Sequence, residues 1–545
     1  MSTLQTYKLE RAKSPEEVGV SSKAINDMLD DFKMSGVEVH SIMILRHNKV
    51  AYESWAYPFT PDTPHIMYSV SKSFTSTAVG FAIDEGLLSL ETKFIDVFPE
   101  FAKKFPDDTN LEKLTVYHLL TMTSGKSPSV LTDRTKNQWL LDFVNSPWKF
   151  TPGEKWEYIS ENQYVLCAMI NRLAQMSVRD YLLPRLFEPL SIKYPFWECD
   201  GNGIEAGGWG LYITTEELAN FIQCYANGGK WFGKQVIPEN WVKFATSFLE
   251  DNSKENFDSD AICGYGACFW QNNGAKGYRA DGMFSQFAIV LEDYDACAVI
   301  TSCEIDEQKT RDCFWRHFPS GFFPGEYEGE TTDVSHLDSL PELPVSKTKS
   351  TFEEILKTKK INIKSIMPLE IINFPLSVLP IFPVFMSVDK AGYCTGFEFD
   401  FDYKKNECKM TWTEKEDKNS IICGMDGKAR FSSMHLGGIN YTASSTACWI
   451  NNNNLCVWIR PLGAIGQRRM RFEFSSDLGV TLYPSSYQNL TIVADNLSLI
   501  YVGMTKSLVG KAAIGNSFSN FLPAFLEPKH SCKLVERTTA DLQTI

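Results

Sequence analysis

The chain has 545 residues, with 53 Lys and Arg against 67 Asp and Glu, for a formal charge of −14. At one domain per ~150 residues that length allows roughly two to four domains, and 43% hydrophobic residues is enough for buried cores, so a disordered or fibrous chain is excluded. The acid balance lacks the basic footprint that a polyanionic backbone requires, which excludes nucleic acid as the principal partner.

From the amino terminus, Ser22 precedes Ile25, Met28, Leu29 and Phe32 at helical spacing. Ile42–Leu45 and Val50–Trp55 flank a His47-Asn48-Lys49 turn and read as a hairpin. A helix is expected from Ser69 to about Glu85, ending before Gly86, then a short one after Thr115. Another opens with Thr214 and Glu217 as a capping box and closes at Asn227-Gly228-Gly229. The period then changes to strands: Tyr265–Trp270, Met283–Leu291 and Ala296–Thr301. Helices and strands therefore mix in the first part of the chain.

A stretch rich in Glu, Asp, Pro and Ser begins near Gly325, followed by the apolar run Ile366–Met386. That run is long enough to cross a bilayer, but Pro368, Pro375, Pro380 and Pro383 interrupt it and Glu370 adds a charge, so it reads as a buried extended linker. Beyond Asp389 the pattern is period two: Phe397, Phe399 and Phe401 alternate with acids, and Cys408, Met410 and Trp412 and then Met470, Phe472 and Phe474 repeat it. The expected organisation is a mixed domain over 1–325, a Pro-rich linker over 326–390, and a C-terminal antiparallel β meander or barrel over 391–545.

The 14 cysteines include no Cys-x-x-Cys pair and read as reduced, buried thiols, and the first forty residues hold no apolar signal core, so the expected compartment is the cytosol. None of the eight histidines forms a His-Glu-x-x-His pair, no Gly-x-Ser-x-Gly elbow occurs, and no Walker-type loop is present. No metal or other cofactor is expected.

The candidate nucleophile is Ser69, three residues before Lys72, because positions i and i+3 on a helix place an amine beside a hydroxyl. The same pattern occurs at Ser146–Lys149, Ser346–Lys349 and Ser387–Lys390, so spacing alone is weak. What separates Ser69 is Val70, Phe74, Ala78 and Ala82 following at helical spacing, which suits a helix set deep in a core. On these residues alone a capping serine with a solvated lysine reads equally well. Desolvation at a helix N-terminus is expected to lower the Lys72 pKa and leave a free amine to act as base.

An ordered set of motifs goes further. Pro15-Glu16-Glu17-Val18-Gly19, Tyr68-Ser69-Val70-Ser71-Lys72-Ser73-Phe74, Leu119–Gly125, Thr151-Pro152-Gly153-Glu154-Lys155, Glu188-Pro189-Leu190 and Gly207–Tyr212 resemble, over residues ~15 to 305, the serine β-lactamase-like hydrolases of the class C and penicillin-binding-protein-related group. The resemblance implies an α+β fold, an antiparallel sheet with flanking helices plus an all-helical region. It also implies acyl-enzyme chemistry on a small ester or amide.

In that family a Tyr-x-Asn motif follows, matched here by Tyr158-Ile159-Ser160, with Tyr158 as acid/base relay and Ser160 in place of asparagine. The phenol is expected to have its pKa pulled down by the lysine ammonium. The third motif, Lys-Thr-Gly or His-x-Gly, is matched by Ala280-Asp281-Gly282, which lacks the cation. By family analogy Gly282 permits close approach of the strand and the Met283 N–H completes an oxyanion hole. A missing cation disfavours substrates bearing a carboxylate, unless Arg279 or Lys276 restores one. Asp281 reads as a recogniser of an amine or as an exposed turn carboxylate. His435-Leu436-Gly437 lies beyond the expected boundary and reads as coincidence. His65, one turn ahead of Ser69, has no partner carboxylate signalled nearby and reads as a packing or surface residue rather than a catalytic one, and Trp209 and Tyr212 read equally as pocket lining or core. The rival expectation is a non-catalytic binding or scaffold protein. For the C-terminal strands the expected roles are covering the site rim or self-association into a homo-oligomer.

Overall fold

The computed structural model describes residues 8–127, 138–255, 257–325, 329, 331–364, 376–386, 391–414, 417–487 and 527–538. These form two compact units, Met1–Asp338 and Ser339–Ile545.

The first unit is built on a seven-stranded sheet, β1 (Glu10–Arg11), β2 (Val39–Arg46), β3 (Lys49–Trp55), β4 (Trp270–Gln271), β5 (Tyr278–Gly282), β6 (Gln286–Leu291) and β7 (Ala296–Ser302). Its order is β1-β3-β2-β7-β6-β5-β4, antiparallel except where β1 joins β3. Strands from both ends of the unit meet where Ile42, Met43 and Ile44 of β2 pair with Ile300, Val299 and Ala298 of β7.

One face is covered by α1 (Ser22–Met34), whose Ser21 cap accepts the Ala24 N–H and whose Ile25, Met28, Leu29 and Phe32 form the predicted apolar stripe. Together with Cys313 and Phe314 of a later helix, Glu307–Trp315, they pack on Ile42, Ile44, Phe287, Ile289 and Ile300. The other face carries the helical region: α2 (Ser71–Asp84), α3 (Glu161–Ala174) and α4 (Thr215–Ala226), the last with the predicted Thr214/Glu217 capping box. We label Glu307–Trp315 α5.

Helix α2 is buried from Ser71 to Ala82 although five of its residues are Ser or Thr. A hydroxyl buried without a partner would be destabilising, so each must find one. Ser73 donates to Cys268 O (2.8 Å), Ser76 to Ala267 O (2.7 Å), Thr75 to Gly207 O (3.0 Å), and Ser71 accepts the Leu211 N–H (3.2 Å). Thr77 bonds the Tyr225 hydroxyl of α4 (2.7 Å), beside a stacked Phe74–Phe221 pair. The polar face of this helix thus docks the loops at 207–211 and 267–268.

Two strand expectations differ. Tyr265–Trp270 does not run straight: Gly266 N–H bonds Phe269 O, Cys268 has φ +69°, and Tyr265 bridges Trp270 in a tight reversal. The strand expected from Met283 begins at Gln286, because Phe284 and Ser285, with φ +64° and +65°, form the turn joining β5 to β6.

In the second unit the period-two pattern forms β8 (Lys359–Ile363), β9 (Cys394–Asp402), β10 (Glu407–Glu414), β11 (Asp417–Gly424), β12 (Arg430–Leu436), β13 (Ile439–Asn451), β14 (Asn454–Leu462), β15 (Gln467–Phe474), β16 (Gly479–Tyr487) and β17 (His530–Glu536). The ring β11-β10-β9-β8-β17-β16-β15-β14-β13 closes where Gly424 pairs in parallel with Thr446, giving a nine-stranded mixed barrel with β12 on the flank of β13. The stretch expected as linker supplies β8, with Ile361 turned into the core, and a short helix Phe352–Leu356. Ile381–Met386, expected as extended chain, is helical; Pro383 falls in the first turn, where a missing N–H costs no helical bond. Residues 366–375 of that run lie outside the described residues. Among the described residues no helix is long and apolar enough to cross a membrane.

Candidate active site

Ser69 stands in a single 3-10 turn, Tyr68–Val70, that runs into α2. Tyr68 has φ +42°, a left-handed conformation unusual for a bulky residue and held by packing against Phe284 (5.4 Å between rings). The bend keeps Ser69 half-buried while Lys72, one turn on, is 1% exposed.

The Lys72 Nζ has three partners: Ser69 Oγ at 2.8 Å, Ser160 Oγ at 3.0 Å and Gly208 O at 2.7 Å. Burial lowers its pKa from 10.5 to about 7, against smaller raising effects of Cys268 and Glu161, as desolvation at this position predicts. A carbonyl only accepts, so Gly208 takes an N–H in either protonation state. When the amine is neutral, its second N–H goes to Ser160 and its lone pair is left for the Ser69 hydroxyl. The Gly208 contact has no signal in residue spacing. It exists because a Cβ there would lie 2.3 Å from Ser160 O, so only glycine lets the two backbones meet.

The Tyr158 ring centroid lies 4.8 Å from the Lys72 Nζ, and its hydroxyl is near enough to Ser69 to feel that residue. Tyr158 sits among Trp156, Tyr265 and Trp270, with ring centroids 5.3–6.2 Å away. The expectation that the ammonium pulls this phenol down is overturned: burial pushes its pKa well above the usual value, the nearby Ser69 only partly offsets this, and Asp281, Cys268 and Glu307 push further up. Tyr158 is a neutral phenol at neutral pH, an acid rather than a base.

Gly282 ends β5 against the Ser69 turn, where a Cβ would lie 2.4 Å from Met67 O and 3.2 Å from Val70 N. Ala280 is buried on the same face of the strand, opposite Ala288 of β6. Met283, half-buried, begins the turn beyond. The structure therefore brings Ser69, Lys72, Tyr158, Ser160 and the Gly282 edge into one place, with Ala280 behind and Met283 beyond it.

Asp281 departs from both of its readings. It is buried on the other face of β5, its Oδ2 accepting from Arg279 Nε (2.8 Å) and from Arg311 Nη1 (3.2 Å) on α5. Arg279 is also committed to Gln271 O and Asp260 O, and Lys276 is exposed beside Glu292 (3.1 Å), so neither replaces the missing cation. Desolvation and the nearby Asp281 charge raise the Glu307 carboxyl of α5 to about 8.

Trp209 and Tyr212 are both buried; Trp209 packs on Trp139 and Tyr212 on Phe196. His65 is buried, in a packing rather than a surface position, but a carboxylate does stand near it, Glu38, reached through His40. His435 lies in β12 of the second unit, bonded to Asn440.

The sequence pattern of the Beta-lactamase family, described by that name, matches residues 24–307. The chain belongs to the Beta-lactamase family. Among family relatives it is similar to a beta-lactamase of Escherichia coli K12, 22% identical over 241 residues that cover 38% of this chain and 62% of that protein. It is also similar to the 6-aminohexanoate-dimer hydrolase of Paenarthrobacter ureafaciens, 24% identical over 259 residues that cover 44% of this chain and 65% of that one. The chain thus covers a little under two thirds of either curated relative. A penicillin-binding protein homologue from Caulobacter crescentus aligns with a TM-score of 0.45 at 14% identity, covering 55% of this chain and 99% of that one. The family match spans all the residues assembled around Ser69.

Proposed function

We propose that this chain is a serine hydrolase that forms an acyl-enzyme on Ser69 from small esters or amides. The observation that carries the reading is the 2.8 Å contact between Ser69 Oγ and a Lys72 amine whose pKa is near 7. Family membership supports it, as do the two relatives above, one named a beta-lactamase and the other a 6-aminohexanoate-dimer hydrolase.

In the proposed cycle the Ser69 oxygen attacks the substrate carbonyl carbon and its proton passes to the neutral Lys72 amine. The developing oxyanion is held by backbone N–H groups of Ser69 and Met283 at the Gly282 edge. The C–O or C–N bond to the leaving group then breaks as Tyr158, a neutral phenol, gives it a proton, and Lys72 returns a proton to Tyr158. Water attacks the acyl-enzyme, giving its proton back along the same residues, and releases the acid and free Ser69. Ser160 and Gly208 hold the amine in place throughout.

The absence of a cation at Ala280 and the neutralised pair at Arg279 and Asp281 favour substrates without a carboxylate near the scissile bond, and argue against efficient β-lactam turnover. The test is pre-steady-state hydrolysis of p-nitrophenyl esters. A burst of p-nitrophenol approaching one equivalent per chain, absent in Ser69→Ala, is expected. No burst and no turnover across esters, amides and β-lactams in folded protein would instead establish the binding or scaffold reading.

A further inference from the structure

The Gly282 edge is held from behind by more than strand pairing. Beyond Gly282 the chain turns through Met283, Phe284 and Ser285 into β6, and α5 meets this turn on both sides of Met283. Before it, Arg311 Nη1 donates to Asp281 Oδ2 (3.2 Å); after it, Thr310 Oγ1 lies 2.9 Å from Ser285 Oγ. From inside the turn, Gln286 Nε2 donates to Phe284 O (2.9 Å) and Ser302 O (2.8 Å). Met283, whose N–H is assigned above to the oxyanion, stands between these clamps.

Asp281 is also the centre of a wider network. Arg279 and Arg311 are 0% and 1% exposed. Arg279 donates through Nε to Asp281 (2.8 Å), through Nη1 to Gln271 O (2.8 Å) and through Nη2 to Asp260 O (3.0 Å). Arg311 also donates through Nη2 to Asp258 (3.0 Å) and faces Asp260 through Nε (3.6 Å). Asp260 lies in the 3-10 turn Ser259–Ile262, shortly ahead of Tyr265, and Gln271 follows Trp270. Tyr265 and Trp270 are two of the rings packed on Tyr158. The two guanidinium groups therefore join three pieces: the end of β5, α5, and the segment that walls Tyr158.

Stability alone does not account for this arrangement. Taking charges out of water is costly, and apolar residues of similar volume commonly replace a buried ion pair with no loss of stability. What an apolar cluster does not supply is direction. A guanidinium is a planar fork with donors at fixed angles, so the acceptors it holds are fixed relative to one another. Acyl transfer needs such fixity at this edge: oxyanion donors act within about 2.7–3.1 Å of the developing charge, and a misplacement of about 1 Å costs roughly 100-fold. Both arginines are committed on the face of β5 turned away from Ser69, so they act through the backbone and not on substrate.

We propose that Arg311, acting with Arg279 through Asp281, is a positioning residue for acyl transfer, setting the Met283 N–H against the oxyanion formed on Ser69 attack. Through Asp260 the same network ties that edge to the segment carrying Tyr265 and Trp270, so the oxyanion donor and the Tyr158 acid keep one spacing. The inference rests on the hydrolase reading above and adds to it residues that never meet the substrate.

The test compares full-length wild type and variants, each checked for fold by circular dichroism, on a carboxylic ester and the matching thiono ester, in which sulfur replaces the carbonyl oxygen. Sulfur is the larger and weaker hydrogen-bond acceptor, so the thiono ester draws less on the oxyanion donors. Arg311→Met is expected to lower kcat on the oxygen ester about 100-fold with KM within about threefold, and kcat on the thiono ester by about tenfold or less. Arg311→Lys, which keeps the charge but not the fork, should fall between wild type and Arg311→Met.

Because loss of a buried cation can unfold the chain, Asp258→Asn supplies a gentler reading. Its side chain is half exposed, and its change leaves the Arg311–Asp281 contact in place. It should lower the oxygen-to-thiono ratio of kcat by about threefold or more in folded protein. An unchanged ratio in folded Arg311→Met or folded Asp258→Asn, with wild type active, overturns this inference alone. Wild type that turns over neither ester overturns the hydrolase reading and this inference together.

Discussion

Lys72 is asked to be buried and basic at once, and the two demands meet in its pKa. With the value at about 7, the neutral amine that accepts the Ser69 proton is populated only as pH rises through 7. The rate of acylation, measured as kcat/KM on a neutral ester, should rise about tenfold per pH unit below 7 and level off above it. The same shift sets a stability trend. Below pH 7 both folded and unfolded chains hold the proton, and the cost of burying the charge is complete. Between about 7 and 10.5 only the unfolded chain binds it, so stability rises with pH, and above 10.5 the cost is gone. Lys72→Met should therefore abolish acylation while stabilising the fold at pH 6 by about 2–5 kcal/mol, with the gain shrinking toward pH 10; urea unfolding at the two pH values reads it.

Tyr158 adds a separable test. As a neutral phenol it matters where the leaving group needs a proton. Tyr158→Phe should lower kcat/KM for alkyl esters and amides by about 100-fold or more, and for p-nitrophenyl esters by far less. Equal losses on both substrate types would contradict the acid role.

At the scale of elements, the close contact between the end of β5 and the Ser69 turn is what aligns the third motif with the nucleophile. A methyl group at Gly282 meets a backbone carbonyl that cannot step aside. Gly282→Ala should cost about 1–3 kcal/mol in unfolding free energy and more than tenfold in kcat/KM. The helices were legible because their apolar stripes and caps are local: Thr214 caps where the spacing says it should, and the first helix opens at Ser22, with Ser21, which the spacing did not single out, as its cap. The Ser69–Lys72 pairing was legible for the same reason, one helical turn being fixed geometry. Tyr265–Trp270 misled because its apolar run is that of a buried reversal, which has the same composition as a buried strand. Asp281 misled because its partner Arg311 is thirty residues away on another element, and burial by a distant arginine leaves no trace in spacing. The Tyr158 shift was misjudged in direction for a related reason: desolvation by Trp156, Tyr265 and Trp270 is a sum over the fold, while the lysine beside it was visible from the motif.

On the scale of the whole chain, every residue placed around Ser69 belongs to Met1–Asp338, and the main apolar core on the α1 side of the sheet is complete within it. A chain ended at Asp338 should therefore fold and keep its Ser69 reactivity toward a fluorophosphonate within about threefold of full length. Loss of reactivity in folded truncated protein would show that the barrel contributes to the chemistry. The barrel's own legibility was partial. Its alternation marked strands but not closure, because the parallel contact of Gly424 with Thr446 depends on where two strands far apart in the chain arrive.

The central claim is that Ser69 is an activated nucleophile, and covalent labelling tests it most directly. Full-length protein is treated with a fluorophosphonate at pH 8 and its intact mass and peptides are read. A single adduct per chain on the peptide bearing Ser69, lost in Ser69→Ala and in Lys72→Met, is the expected result. Folded wild type that takes up no adduct, or Ser69→Ala labelled as fully as wild type, would contradict the account.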